Sequence, residues 1–119
     1  MTDVVVTVPK GMWEEWIAEG DLPGEEPQYA SHFWIPRDGR PKIRSGERVY
    51  IVAHGRLRGY APLVATEDSC DLAPSRACLI RIGGAVAVTI LDPIRGFQGW
   101  RYRWWQREDE LLFPDWMTP

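Results

Sequence analysis

The chain is poor in cysteine and lysine and has no long apolar run. Its two cysteines, Cys70 and Cys78, flank a proline-containing loop. No C-x-x-C or H-x-x-x-H spacing joins them to His32 and His54, so no zinc set is expected. Neither is a cofactor. Two reduced thiols are expected rather than a disulfide, because disulfides persist mainly in oxidising compartments. No apolar stretch approaches the roughly 18 to 20 residues that cross a bilayer as a helix. An acid, Asp3, stands where a secretory signal carries a basic region. These absences predict a soluble cytoplasmic protein without a membrane partner. Gly83-Gly84 lacks a following Gly-Lys-Ser/Thr and leads into a strand, so it reads as a hairpin turn and not a phosphate loop.

What is present is aromatic and cationic. Seven tryptophans occur in 119 residues, and the basic residues are twelve arginines against Lys10 and Lys42. Guanidinium suits planar, bidentate and stacking contacts, although a coding bias toward arginine gives the same ratio. The net charge of −3 conceals segregation. Residues 14–26 hold six acids and no cation, whereas residues 37–58 hold seven cations against two acids, a local charge of +5. Arg95, Arg101, Arg103 and Arg107 form a second basic run without an acid. If the two runs share a face, that face is positive despite the acidic total.

At this length and with 45% hydrophobic residues, one domain over residues 1–119 is expected. Val4-Val5-Val6-Thr7-Val8, closed by Pro9, predicts a buried strand. Trp13, Trp16 and Ile17 at i, i+3, i+4 predict a short amphipathic helix over residues 11–19. Residues 20–31 read as a loop and His32-Phe33-Trp34-Ile35 as a brief strand. Residues 48–66 predict a hairpin, 67–77 an exposed loop, and 78–91 a second hairpin turning at Gly83-Gly84. Trp100-Arg101-Tyr102-Arg103-Trp104 alternates aromatic and cation, the period of a strand with two unlike faces. Trp116 is placed to pin the tail onto the core. Six or seven short strands and one or two short helices make the fold mostly β, and a small mixed β-barrel removes the edges such strands would otherwise leave.

Gly46-Glu47-Arg48-Val49-Tyr50-Ile51-Val52-Ala53-His54 opens as glycine, acid, x, apolar strand. Leu57-Arg58-Gly59-Tyr60-Ala61 returns with glycine beside small and apolar residues, and Val6-Thr7-Val8-Pro9-Lys10 is a first strand with a proline turn. This order resembles the PUA-like superfamily, particularly its EVE, ASCH and YTH-like domains. The resemblance implies a PUA-like (EVE/ASCH-type) barrel that binds RNA or DNA, and in EVE-like members a modified base held in an aromatic pocket. It also implies an alternative, since hydrolytic ASCH members use lysine, threonine and glutamate, the residue types of Lys10, Thr7, Lys42 and Glu47.

Base-to-aromatic stacking contributes roughly 1–3 kcal/mol per base, and arginine can stack or grip phosphate. On that logic Trp34, Tyr50, Tyr60, Trp100 and Trp104 are the candidate stacking wall, and Arg44, Arg56, Arg58, Arg101 and Arg103 the charged rim. Lys10, after the first strand, and His54, at the turn, complete the ligand-binding set. The competing reading makes Trp13, Trp16, Trp34 and Trp104 filling for the barrel, and His54 a turn residue. The expectation is a nucleic-acid-binding module, more binding protein than enzyme. The alternatives are an ASCH-type hydrolase or ribonuclease acting on RNA or modified nucleosides, and a protein-interaction accessory domain whose tryptophans and arginines form a flat surface. Oligomeric state and RNA versus DNA stay open.

Overall fold

The computed structural model describes residues 3–19, 32–36, 41–67, 76–81 and 85–116. The β-branched run forms β1, Val4–Thr7. Pro9 ends it, and its carbonyl accepts the first helical bond, from Trp13 N–H at 2.9 Å. Helix α1, Lys10–Glu19, follows at once. Strand β2 is His32–Pro36, β3 Arg48–Ala53 and β4 the long Arg56–Glu67. His54 (φ 50°) and Gly55 (φ 78°) make the turn between β3 and β4. Positive φ at both central positions is the hairpin geometry that matches strand twist.

Strand β5, Arg76–Arg81, lies antiparallel between β2 and the second half of β4. The last strand of the main sheet is β7, Trp100–Tyr102, antiparallel to β1. Among the described strands only β1 and β3 pair in parallel, with Val4 beside Val49 and Thr7 beside Val52. The order is β2-β5-β4-β3-β1-β7. Register shifts after Ile51 and Leu63 mark bulges that sharpen local twist, and the sheet curls into a half-barrel. The protein is therefore mostly β, and the described residues add one α-helix and a 3-10 turn, Arg107–Asp109. Among the described residues no helix is long and apolar enough to cross a membrane.

The second hairpin expected over residues 78–91 does not form. Both edges of β5 are taken by β2 and β4, so residues 85–89 go elsewhere. Val86 bridges Tyr60, and β6, Val88–Thr89, pairs with β8, Leu111–Leu112, in a separate ribbon. Gly83, Gly84, Cys70 and most of the loops expected at 20–31 and 67–77 lie outside the described residues.

Both faces of the central strands are covered. On one, Val4, Val6, Val49, Leu63 and Leu79 pack with Trp100, and the layer continues into Ile51, Ala53 and Ala61 beneath Trp13 of α1. On the other, Val5, Tyr50, Val52 and Leu57 meet Val88, Ile90, Ile94 and Trp105 from the C-terminal third. Trp116 closes onto Trp13 at 5.4 Å, so the tail is pinned as its sequence predicts.

Candidate functional site

The C-terminal third brings its aromatics against Tyr50 and Tyr60. From the sheet outward, ring centroids step from Tyr60 to Tyr50 at 5.5 Å, to Trp105 at 5.1 Å, to Trp104 at 5.0 Å and to Phe97 at 6.4 Å. The last three steps are edge-to-face, at 79°, 84° and 66°, the geometry that ring quadrupoles favour. A guanidinium caps each end, Arg48 4.0 Å from the Tyr60 centroid and Arg101 4.6 Å from that of Phe97. The ladder rises from the core, where Tyr50 is sealed, to the surface, where Trp104 is 52% exposed.

Two carboxylates fix this arrangement. Glu110 accepts from Tyr50 Oη at 2.6 Å, Trp105 Nε1 at 2.9 Å and Arg48 Nη1 at 3.2 Å. Burial, followed by the bond to Glu110, pushes the Tyr50 phenol up to about 12. Asp3 accepts from the Arg48 amide at 3.0 Å and from Arg107 Nη2 at 2.9 Å, and pairs with Arg103 Nε at 3.2 Å. Burial alone raises the Asp3 carboxyl, but the Arg48 amide, Arg107 and Arg103 outweigh it and hold the group below its ordinary 3.8. Arg103 also donates from Nη1 to the Trp105 carbonyl at 2.7 Å, which ties the Asp3 cluster to the ladder.

The loop before β7 joins the two basic runs. Ile94 N–H donates to the Gly55 carbonyl at 2.9 Å, bringing exposed Arg95 beside His54, Gly55 and Arg56, and Phe97 N–H donates to Thr7 Oγ1 at 3.3 Å. The runs therefore meet, but not all of their charge faces outward. Arg48, Arg103 and Arg107 are committed to Glu110 and Asp3.

The expected site residues divide accordingly. Tyr50, Tyr60, Trp104, Arg101 and Arg103 belong to the ladder or its fastening. Trp100 does not join them: it aligns with Val6 and packs on the opposite face of the sheet from Tyr50, so the expected single wall is split by the sheet. Arg58 is not on a rim, being 3% exposed. Its Nε donates to the Ala53 carbonyl and its Nη1 to that of Trp116, which clamps the tail. Burial, then Arg56, lowers its pKa. Arg56 is exposed and lies over Phe113 at 4.2 Å. Arg44 and Lys10 are exposed, and His54 is an exposed turn residue. Trp34 lies on β2 with its side chain outside the described set.

Lys10, Thr7 and Glu47 of the hydrolytic alternative do not converge. Glu47 precedes β3, level with the start of β1, and accepts from the Arg44 amide at 2.8 Å. Thr7 lies about five residues further along the parallel pair, roughly 16 Å away at the strand rise. Lys10 follows beyond it on α1. Among the described residues no three His, Cys, Asp or Glu side chains group to hold a metal. The site offers stacking faces and fixed cations, with both its carboxylates already hydrogen-bonded.

Sequence reasoning missed Asp3, Arg48, Phe97, Trp105, Arg107 and Glu110. Arg107 is 104 positions from Asp3 and Glu110 is 60 from Tyr50, so no local pattern joins them. The one available signal was isolation: Asp3 is an acid just before an apolar strand.

A model of the family described as protein of unknown function (DUF1489) matches residues 10–109, most of the chain, which therefore belongs to that family. No curated protein and no solved structure matches.

Proposed function

We propose that this member of the DUF1489 family is a nucleic-acid-binding module of PUA-like type, which stacks a base, modified or unmodified, on the Trp104 end of the ladder. The observation that carries this reading is an exposed indole held rigid from behind. Trp104 meets Trp105 and Phe97 edge-on, Trp105 is anchored by Glu110, and exposed Arg101 lies over Phe97 beside it. A pre-fixed ring loses little freedom on binding, so more of its stacking energy appears as affinity. Arg101, Arg95 and Arg56 supply cations for the flanking phosphates. Single-stranded RNA or DNA fits better than duplex, because bases inside a duplex keep their faces stacked on each other.

Titration with short single-stranded RNA and DNA, with and without modified bases, followed by tryptophan fluorescence, tests the reading. Binding is expected to quench Trp104 and to weaken with salt at a slope near −2 if about three phosphates are neutralised, at roughly −0.7 each. Trp104→Ala is expected to lower affinity about tenfold, within the roughly 1–3 kcal/mol of one stacked base. An affinity indifferent to both salt and Trp104 contradicts the reading. Catalysis is the weaker alternative, since Lys10, Thr7 and Glu47 stand apart.

A further inference from the structure

The ribbon of β6 and β8 carries a surface of different character. Leu91 and Leu112 are 89% and 86% exposed, and Leu111 is 45% exposed. Phe113 N–H donates to the Ala87 carbonyl at 3.2 Å, while Val88 pairs with Leu112 and Thr89 with Leu111. Hydrogen-bonded and non-hydrogen-bonded pairs alternate in an antiparallel ladder. With Phe113 and Ala87 bonded, the N–H and C=O of Leu112 turn away from β6 toward the outer edge. Among the described residues β8 has β6 as its single strand neighbour, and Leu112 is 86% exposed.

The charges beside the edge are acidic. Asp92 follows Leu91, and exposed Glu108 and Asp109 precede β8. Arg107 is turned to Asp3 and Arg48 to Glu110, while exposed Arg56 lies on the ribbon itself, over Phe113 and 3.5 Å from Thr89 Oγ1, one cation against three acids. A second copy is disfavoured, because antiparallel self-pairing through the outward Leu112 backbone sets Leu112 opposite Leu112 and, counted on, Asp109 of one chain level with Asp115 of the other.

We infer that the outer edge of β8 docks an extended segment of another protein that alternates apolar and basic residues, adding it as a third strand to the ribbon. The backbone of Leu112 supplies the pairing, Leu111 and Leu112 the apolar contact, and Glu108 and Asp109 the charge selection. Unpaired edges commonly recruit strands in this way.

The test uses the full chain and two capped peptides, one of alternating lysine and leucine and one of alternating glutamate and leucine, followed by amide NMR. The basic peptide is expected to shift Leu111, Leu112 and Phe113 saturably and to slow exchange of the Leu112 N–H. Leu111→Ser with Leu112→Ser, and separately Glu108→Lys with Asp109→Lys, are each expected to weaken binding about tenfold with unchanged circular dichroism. Trp104→Ala is expected to leave it unaltered, so this surface stands or falls apart from the nucleic-acid reading. Three results each overturn the inference: no shift at β8, equal binding of the acidic peptide, or a dimer that Leu112→Ser abolishes.

Discussion

Glu110 holds the site together as a single residue. Three donors converge on its carboxylate, and its side chain is 7% exposed. Removing one partner of such a buried set leaves the others uncompensated, which typically costs about 3–5 kcal/mol. Glu110→Ala is therefore expected to lower unfolding free energy by about 3 kcal/mol in urea titrations, and Tyr50→Phe by about 1 kcal/mol, near the net worth of one hydrogen bond. Tyr50 also gives a pH signature. Its phenol is raised from 10.0 to about 12 in the folded protein, so the folded state holds that proton more tightly. The associated stability is complete below pH 10 and is lost as pH rises toward 12. Denaturation midpoints should fall across that window in the native chain and less steeply in Tyr50→Phe. Asp3 behaves oppositely: held below its ordinary 3.8, its contribution is present above that value and lost as pH falls through it and below. Neither acid was legible as a site residue in the sequence. An arginine run reads as a positive surface until its distant carboxylates are known.

At the scale of elements, local chemistry was a good guide and pairing was not. The β-branched run before Pro9, the period of Trp13, Trp16 and Ile17, and the hairpin around His54 and Gly55 all stand as the sequence predicts, because each is decided within a few residues. The expected hairpin over 78–91 failed because its second half is claimed by Tyr60 and β8, a competition between segments more than twenty residues apart. Gly59 records that competition. A Cβ there would sit 2.5 Å from the Val86 carbonyl oxygen, which the Tyr60 amide needs at 3.0 Å. Gly59→Ala is expected to cost about 1–3 kcal/mol, the usual range for overpacking. By contrast Gly11, with nothing within 4 Å of such an atom, is expected to accept alanine without loss. Paired thermal melts of the two variants check the contrast.

For the whole molecule, a net charge of −3 hides a division of surfaces. The two basic runs meet through the loop before β7, yet Asp3 and Glu110 draw Arg48, Arg103 and Arg107 inward. Among the described cations of the two runs Lys42, Arg44, Arg56, Arg95 and Arg101 stay exposed, Arg101 over Phe97 beside Trp104, while the ribbon edge at Leu112 is apolar and acidic. The sequence made the meeting of the runs conceivable. It left unseen which arginines would be used up, since that depends on carboxylates brought in by the tertiary fold. The radius of gyration of 13.4 Å equals what one compact unit of this length has, about 13.5 Å, so both surfaces ride on one small body. The most direct measurement of the central claim is the salt dependence of single-stranded oligonucleotide affinity in the native chain and in Arg101→Ala. The account predicts a negative slope near −2 that becomes shallower by about 0.7 in Arg101→Ala, together with quenching of Trp104. A flat salt dependence, or a slope that Arg101→Ala leaves unchanged, contradicts it.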